Sequence, residues 1–233
     1  MSLFWKNTTD WKVDAESWIN GSPRGEKSTT LKLVEAVLAG AEEAGAQTEL
    51  IDLCALSIDY CNACAVCYKT GECIHNDDFG KMYDEMMASD GIVFGSPVYF
   101  GSVTAQMKTM IDRMSDAVHC QLLLGKRIGS VSTAGSQGHQ EVEDYINRVM
   151  VAMGAAAVGS TGADMADPAG IEVTLEKARQ LGKTLVREIQ ESTIHPGQEE
   201  VHRMMRERFG RVVGANKEEW THEYEHWKRM GWL

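Results

Sequence analysis

The sequence lacks the features that mark several large classes of protein. It contains no apolar run near the roughly 20 residues that a membrane-spanning helix requires, and it does not open with the basic and apolar segments of a secretion signal. Its formal net charge is −11, and its longest basic cluster is the mixed stretch RMMRERFGR. Because such a surface repels phosphate backbones, we expect no nucleic-acid partner. From the lack of a spanning run and of a signal segment, we expect no membrane partner and a cytoplasmic location.

Cysteine and proline are also scarce, with six and four residues among 233. Six cysteines are too few for a disulfide scaffold of this length, and four of them fall within the stretch CNACAVCYKTGEC. Local clustering of thiols in a chain without secretion features favours metal or redox chemistry over structural cross-links.

The rest of the composition, 43% hydrophobic and 24% charged, is ordinary for one globular domain. Between residues 15 and 192, short apolar runs alternate with amphipathic stretches, which is typical of βαβ units and a parallel sheet covered on both faces. We expect strands at ESWIN, QTELIDL, GIVFGSP, RIGSVST and AAAVGSTGA. We expect helices over 28–44, within DDFGKMYDEMMASD from Asp77 or Asp78, and over 103–117, 139–153 and 171–192.

Two segments flank this domain, an N-terminal arm over 1–14 and a C-terminal tail over 193–233. A Pro-Gly break introduces the tail, which is rich in charge and contains Trp220, Trp227 and Trp232. The tail either packs on a neighbouring subunit or forms a helix that caps its own domain. Because exposed tryptophan is usually covered by a partner, we expect a homodimer or homotetramer.

The first predicted strand leads into the loop NGSPRGEKSTT, which lacks the glycine spacing of both the dinucleotide fingerprint and the P-loop. It does supply backbone N–H groups and hydroxyls at the start of a helix, with a guanidinium beside them, and this combination suits a monoester phosphate. The residues concerned are Ser22, Arg24, Ser28, Thr29 and Thr30. The alternative is a simple turn in which Ser28 is only the helix N-cap.

Two further loops follow predicted strands at the same edge of the sheet, where ligands bind in open α/β folds. The loop GSPVYFG offers Tyr99 and Phe100 to a planar ring, unless both are core residues. The loop STAGSQGHQE is rich in glycine and hydroxyls, and its His139 either touches a ligand or starts a helix. Three adjacent loops of this kind together indicate a binding site.

These motifs carry a resemblance. NGSPRGEKSTT, the cysteine stretch, ADMADP and above all SDGIVFGSPVYFGSVTAQMKTMIDR resemble the flavodoxin-like NAD(P)H-dependent FMN reductases, in the branch that contains the iron–sulfur flavoproteins. The resemblance implies a flavodoxin-like, doubly wound five-stranded parallel sheet of order 2-1-3-4-5, followed by a C-terminal helical tail. It also implies FMN bound where the strand order reverses.

The resemblance further implies roles for residues of the three loops. The phosphate would be held by Ser22, Arg24, Ser28 and Thr29, with Thr30 beside them. The ribityl chain and isoalloxazine ring would follow Pro97, Val98, Tyr99, Phe100 and Gly101, and the ring would be bordered by Thr133, Ala134, Gly135 and Gly138. No side chain need act as an acid or base, because the flavin carries the chemistry.

Cys61, Cys64, Cys67 and Cys73 have the spacing C-x2-C-x2-C-x5-C. This spacing is typical of thiolates that share one four-iron cube, and it matches the ligand pattern of the iron–sulfur flavoproteins. A [4Fe–4S] cluster is therefore expected on a loop at the same sheet edge as FMN, near the flavin of this or a neighbouring subunit. Zinc, free thiols and a labile disulfide are the alternatives. Cys54 and Cys120 are expected to be buried small hydrophobes.

Together these features predict an FMN-dependent oxidoreductase that passes electrons from NAD(P)H to a small-molecule or protein acceptor, directly or through the cluster. Three alternatives remain open. The first is a flavodoxin-type electron carrier without enzymatic activity, and the second is a clusterless NAD(P)H:quinone or flavin reductase. The third is a redox-sensing interaction protein that uses its cysteine loop.

Overall fold

The computed structural model describes residues 16–233, so the predicted arm over 1–14 lies outside the described residues. Its strands are β1 (Glu16–Asn20), β2 (Thr48–Asp52), β3 (Gly91–Pro97), β4 (Arg127–Ala134) and β5 (Ala156–Asp164). They form one parallel sheet of order β2-β1-β3-β4-β5. The predicted fold class is confirmed.

Helices connect and extend this sheet. They are α1 (Thr29–Glu43), α2 (Val66–Thr70), α3 (Phe79–Ala88), α4 (Ala105–Arg113), α5 (Ser115–Cys120), α6 (His139–Ala152), α7 (Pro168–Glu191), α8 (Pro196–Ala215) and α9 (Thr221–Arg229). None of the helices between residues 16 and 233 combines the length and the apolar character that crossing a membrane would require.

The sheet is buried on both faces because alternate residues of its central strands enter two different cores. Ile92 and Phe94 of β3 pack with the methionine-rich faces of α3 and α4 on one side. Val93 packs with α1 and α7 on the other side. The nearly continuous apolar run of β3 is thus explained by its central position.

Helices α1 and α7 approach each other backbone to backbone. A Cβ atom on Gly40 would lie 1.9 Å from the carbonyl oxygen of Arg179, and one on Gly182 would lie 2.1 Å from that of Val37. These two glycines are therefore required by close helix packing, which fixes α1 and the loop before it against the rest of the domain.

Three local predictions differ from the structure. The helix expected over 103–117 is divided at Met114, whose ψ of 30° ends α4 and lets α5 start in a new direction. Met114 is fully buried, so its packing in the core outweighs the continuous helical pattern of the sequence. The cysteine stretch contains a short helix, α2, where an uninterrupted loop was expected, and α7 begins three residues early, at Pro168.

The tail forms α8 and α9, which pack on the chain's own domain. Trp227 is buried with Val213 and Cys120, and Trp220 and Trp232 pack against this cluster. The Trp227 indole donates a hydrogen bond to the backbone oxygen of His119 at 3.1 Å. The tryptophans therefore need no partner subunit to cover them, and the predicted homo-oligomer loses the argument on which it was based.

Candidate functional site

The carboxyl ends of β1, β3 and β4 bring the three predicted loops together around one cavity of about 360 Å³. This volume lies within the range of small-molecule sites, about 300–1,000 Å³. The cavity is lined by Ser22, Arg24, Ser28, Thr29, Thr30, Pro97, Val98, Tyr99, Thr133, Ala134, Gly135 and Met165. Eleven of these twelve residues, all except Met165, belong to the set that was expected to bind the cofactor.

The first loop is held in place by buried hydroxyls. Ser28 Oγ donates to Ser22 Oγ at 2.7 Å and accepts from the backbone N–H of Leu31 at 3.0 Å. Asn20 Oδ1 accepts from the backbone N–H of Ser22 at 3.1 Å. Ser28 is therefore both the N-cap of α1 and part of the cavity wall, so the two interpretations of this residue are compatible.

The charge at this end of the cavity is positive. Arg24 is exposed on the cavity rim and forms no ion pair with any residue between 16 and 233. The first N–H groups of α1 have no partner within the helix and add the positive end of its dipole. No carboxylate lines the cavity. These donors fit the phosphate monoester of FMN.

The second loop makes a tight turn in which Tyr99 and Ser102 exchange backbone hydrogen bonds of 2.9 and 3.0 Å. Tyr99 is 44% exposed and lines the cavity, so it is not a core residue. Phe100 is fully exposed at φ +50°, and neither it nor Gly101 lines the cavity. Two of the predicted flavin contacts in this loop therefore lie outside the cavity wall.

The third loop joins the other two. The backbone oxygen of Thr133 accepts from the backbone N–H of Val98 at 2.8 Å. The backbone oxygen of Ala134 accepts from the backbone N–H of Met165 at the same distance. Met165 was not predicted as a site residue. The sequence feature that could have identified it is its position in ADMADP, directly after β5, because the carboxyl end of β5 lies at the same edge of the sheet.

Gly138 and His139 do not line the cavity. Gly138, at φ +98°, is the N-cap of α6, and His139 is the first residue of that helix. The His139 Nδ1 atom lies 2.9 Å from Glu143 Oε1, and burial raises the pKa of Glu143 above its usual value. The structure therefore supports the interpretation of His139 as a helix-start residue.

The four clustered cysteines line a second cavity of about 330 Å³. Cys61 and Cys64 are exposed, whereas Cys67 and Cys73 are half-buried. Its wall also contains Tyr68, His75, Asp112, Arg113 and Ser115. The structure thus brings all four predicted ligands to one place.

The backbone of the cysteine loop has an unusual conformation for its residue types. Ala63 and Ala65 have φ values of 57° and 59°, in the left-handed region that alanine rarely adopts. The backbone N–H of Ala63 donates to Cys61 Sγ at 3.4 Å. Left-handed residues of this kind turn N–H groups inward to form concave anion sites, including those of iron–sulfur clusters.

The spacing of the sulfurs argues against zinc. Four thiolates on one tetrahedral zinc ion would lie about 3.8 Å apart. Within residues 16–233, no three of the sulfurs lie within 4.8 Å of one another. The four side chains as they stand therefore do not form a compact tetrahedral site.

Asp59, His75 and Asp77 do lie within 4.8 Å of one another. However, Arg113 binds both carboxylate oxygens of Asp77, at 2.7 and 3.1 Å. A guanidinium in this position repels a cation, so the three residues form part of an ion-pair network.

The clustered Cys67 and the two cysteines outside the cluster differ in their burial. Burial raises the pKa of the Cys67 thiol to about 11, which disfavours the reactive thiolate that a thiol-based redox sensor requires. Cys120 is buried, as predicted. Cys54 is exposed, so its prediction as a buried hydrophobe is wrong. It follows Leu53, which occupies the core position at the end of β2.

The two cavities share no lining residue and are separated by the length of α4. Thr104, the N-cap of α4, donates from Oγ1 to the backbone oxygen of Gly21 beside the first cavity. Arg113, the last residue of α4, lies beside the cysteines. Nine helical residues span about 13 Å. The cysteine cavity is therefore distinct from the cavity at the sheet edge, and the expected closeness of cluster and flavin stays a prediction.

Comparison with known proteins agrees with this arrangement. A family model described as NADPH-dependent FMN reductase matches residues 17–168. An iron-sulfur flavoprotein of Archaeoglobus fulgidus is 32% identical over 223 residues, which cover 92% of this chain and 98% of that protein. An iron-sulfur flavoprotein of Methanocaldococcus jannaschii is 36% identical over 179 residues, which cover 71% of this chain and 92% of that protein.

Among solved structures, the NAD(P)H:quinone oxidoreductase of Methanothermobacter marburgensis is similar to this chain with a TM-score of 0.61. The two are 18% identical, and the match covers 78% of this chain and 98% of the other. At this level of identity, the similarity supports the fold alone.

Proposed function

Since this chain belongs to the NADPH-dependent FMN reductase family and is an FMN-dependent oxidoreductase, we propose that it passes electrons from NAD(P)H through FMN to an acceptor. The observation that carries this proposal is the cavity at the carboxyl edge of the sheet. There, buried hydroxyls, the Arg24 guanidinium and a helix N-terminus meet, and none of the carboxylates within the described part of the chain lines the cavity.

The cavity residues divide into two groups. Ser22, Thr29 and the N-terminus of α1 would bind the phosphate, with Ser28 Oγ orienting the Ser22 hydroxyl, and Arg24 would neutralise its charge. Tyr99 and the apolar residues Val98 and Met165 orient the ring and exclude water from one side of it. When bound, FMN supplies hydride acceptance and the return of electrons singly or in pairs. Among residues 16–233, no carboxylate or imidazole lines the cavity.

We further propose that Cys61, Cys64, Cys67 and Cys73 hold one [4Fe–4S] cluster. Their common cavity, their spacing and the left-handed residues between them support this assignment. The names of the two relatives described above point the same way. A bound cluster supplies one-electron transfer, which would connect the flavin to one-electron acceptors.

Metal analysis of anaerobically purified protein tests the cluster. We expect iron and acid-labile sulfide at about four of each per chain, with broad absorption beyond the flavin bands. Cys64→Ala should remove the iron while FMN stays bound. Cys54→Ala, which changes an exposed cysteine outside the set, is the matched control and should retain the iron. Wild-type protein without iron and sulfide would contradict the proposal and leave the clusterless reductase.

Anaerobic mixing with NADPH and, separately, NADH tests the electron donor. Reduction of the flavin should follow with either wild-type protein or Cys64→Ala, because hydride entry needs only the flavin site. Transfer to a one-electron acceptor such as ferricyanide should then be slower in Cys64→Ala. If neither nucleotide bleaches the flavin, the protein is an electron carrier without reductase activity.

The homodimer or homotetramer remains part of the proposal, as does a small-molecule or protein acceptor. Light scattering of the full chain measures the oligomeric state directly. A monomeric full-length protein would exclude the homo-oligomer. It would also restrict electron transfer between the two cavities to a single chain.

A further inference from the structure

The inner wall of the cysteine cavity contains a buried arginine. The Arg113 side chain has no solvent exposure, although it lies next to two half-buried cysteines, Cys67 and Cys73. Its Nη1 atom donates to the backbone oxygen of Asp59 at 2.8 Å. Its guanidinium also lies 4.5 Å from the centre of the Phe79 ring. The cation is therefore fixed in position on several sides.

Asp77 compensates this charge and does not itself line the cysteine cavity. Its two oxygens accept from Arg113 Nη1 and Nη2 in a bidentate pair. The same oxygens accept the backbone N–H groups of Asp59 and Phe79, at 2.8 and 3.1 Å. Burial opposes ionisation of Asp77, but these hydrogen bonds, led by that of Arg113, lower its pKa to about 2. The pair is ionised and rigid.

One donor of this arginine remains without a partner. Arg113 Nε is buried and has no hydrogen-bond acceptor among the described residues. His75 Nε2 is likewise buried without a partner, and whether it donates or accepts depends on the ring tautomer. Both side chains line the cysteine cavity. A buried donor without an acceptor is costly and rare in folded proteins, so an acceptor bound in the cavity would satisfy Arg113 Nε.

The same cavity wall places this cation beside Cys67 and Cys73. A sulfide-containing cube held by four thiolates is an anion with acceptor atoms on every face. It is therefore the kind of acceptor that Arg113 Nε lacks.

We propose that Arg113 is a positioning residue that raises the reduction potential of a [4Fe–4S] cluster held by the four cysteines, with Asp77 limiting the size of this effect. The inference rests on the cluster of the proposed function. One-electron reduction adds a negative charge to the cluster, and no bond forms or breaks. A fixed cation stabilises the reduced form, whereas the carboxylate of Asp77 destabilises it.

Two substitutions with opposite electrostatic effects test this role. Arg113→Gln removes the cation and should lower the midpoint potential. Asp77→Asn removes the compensating anion and should raise it. Arg113→Lys keeps the charge and should remain closer to wild type than Arg113→Gln. Arg127→Gln is the matched control because Arg127 also has a buried, unpartnered Nε but lies at the amino end of β4. It should leave the potential unchanged.

The midpoint potential is measured by a redox titration followed by electron paramagnetic resonance, on samples with equal iron and sulfide per chain. Opposite shifts in Arg113→Gln and Asp77→Asn support the proposal, because loosening of the loop would move both variants in one direction. Equal potentials, or shifts of the same sign, overturn it. If Arg113→Gln does not retain its cluster, a potential of Asp77→Asn at or below wild type still overturns it. Wild-type protein without iron overturns the proposed cluster itself.

Discussion

The hydroxyl of Thr30, in the first turn of α1, lies 2.6 Å from the hydroxyl of Thr133, near the end of β4. The two residues are 103 positions apart in the chain, and both are buried. This single hydrogen bond joins the loop proposed to bind phosphate to the loop proposed to border the flavin ring.

Replacing either threonine should destabilise the protein. Thr30→Val keeps the shape of the side chain but leaves the Thr133 hydroxyl buried without a partner, which costs about 1–3 kcal/mol. Removing both hydroxyls in Thr30→Val/Thr133→Val should cost less than the sum of the two single changes. Urea denaturation of the apoprotein measures all three. Strict additivity would show that the two hydroxyls do not interact.

Arg24 should determine affinity for the phosphate of FMN. Loss of a charge-assisted hydrogen bond of about 1.5–3 kcal/mol corresponds to roughly 10- to 150-fold weaker binding in Arg24→Ala. Lys27→Ala is the control, since Lys27 lies in the same turn but does not line the cavity. It should bind FMN within about 2-fold of wild type. Fluorescence titration of the apoprotein measures both.

Riboflavin, which lacks the phosphate, provides a second control on the same protein. Arg24→Ala should bind riboflavin about as well as the wild type does. An equal loss of affinity for riboflavin and FMN would mean that Arg24 supports the ring or the fold and does not contact the phosphate.

Asp116 should make stability fall as pH rises. Burial raises the pKa of this carboxyl in the folded protein to about 6, from an ordinary value near 4. Between these values the folded state binds more protons than the unfolded state, so the free energy of unfolding decreases as pH rises from about 4 to 6.

Asp116→Asn removes this dependence. It should stabilise the protein by about 1–3 kcal/mol at pH 7 and by much less at pH 4, as measured by urea denaturation. Asp144→Asn, on the exposed face of α6, is the control and should change stability by less than about 0.5 kcal/mol. A destabilised Asp116→Asn at pH 7 would show that the ionised form makes a favourable contact.

Phe100 should reduce the stability of the turn that it occupies. Its side chain is fully exposed, and both it and Gly101 have positive φ values, of 50° and 73°. Phe100→Asn creates an Asn-Gly pair, which such two-residue turns favour, and should stabilise the apoprotein by about 0.5–1 kcal/mol. Phe100→Val should destabilise it. Thermal denaturation of the two variants tests this ranking, and the reverse order would contradict it.

Much of the fold could be predicted because the sheet is simple in sequence terms. β3 is an apolar run, β4 mixes apolar residues with serines, and both end at loops rich in glycine and hydroxyls, which parallel strands place at one edge. This placement predicts a binding cavity at that edge, and the cavity proposed to bind FMN lies there. The break between α4 and α5 could not be predicted, because Met114 is apolar on either path and only the packed core selects one.

Positions that depend on long-range contacts were also missed. The chain just before the cysteines is fixed by a hydrogen bond from Arg113, at the end of α4, to the backbone oxygen of Asp59, 54 positions earlier. Spacing within the cysteine motif contains no information about that contact. The burial of Arg113 and the exposure of Cys54 likewise depend on neighbours that no local pattern identifies.

The contact of α9 with the cysteine segment has a consequence for how the protein is assembled in the cell. Thr221 donates from Oγ1 to the backbone oxygen of Lys69, 152 residues earlier, and Trp220 packs on Tyr68. Translation at about 5–20 residues per second leaves roughly 8–30 s between synthesis of these two segments. During that interval the cysteine segment on the nascent chain has no α9 to pack against, so α2 must form without this support and gains it only when synthesis is nearly finished.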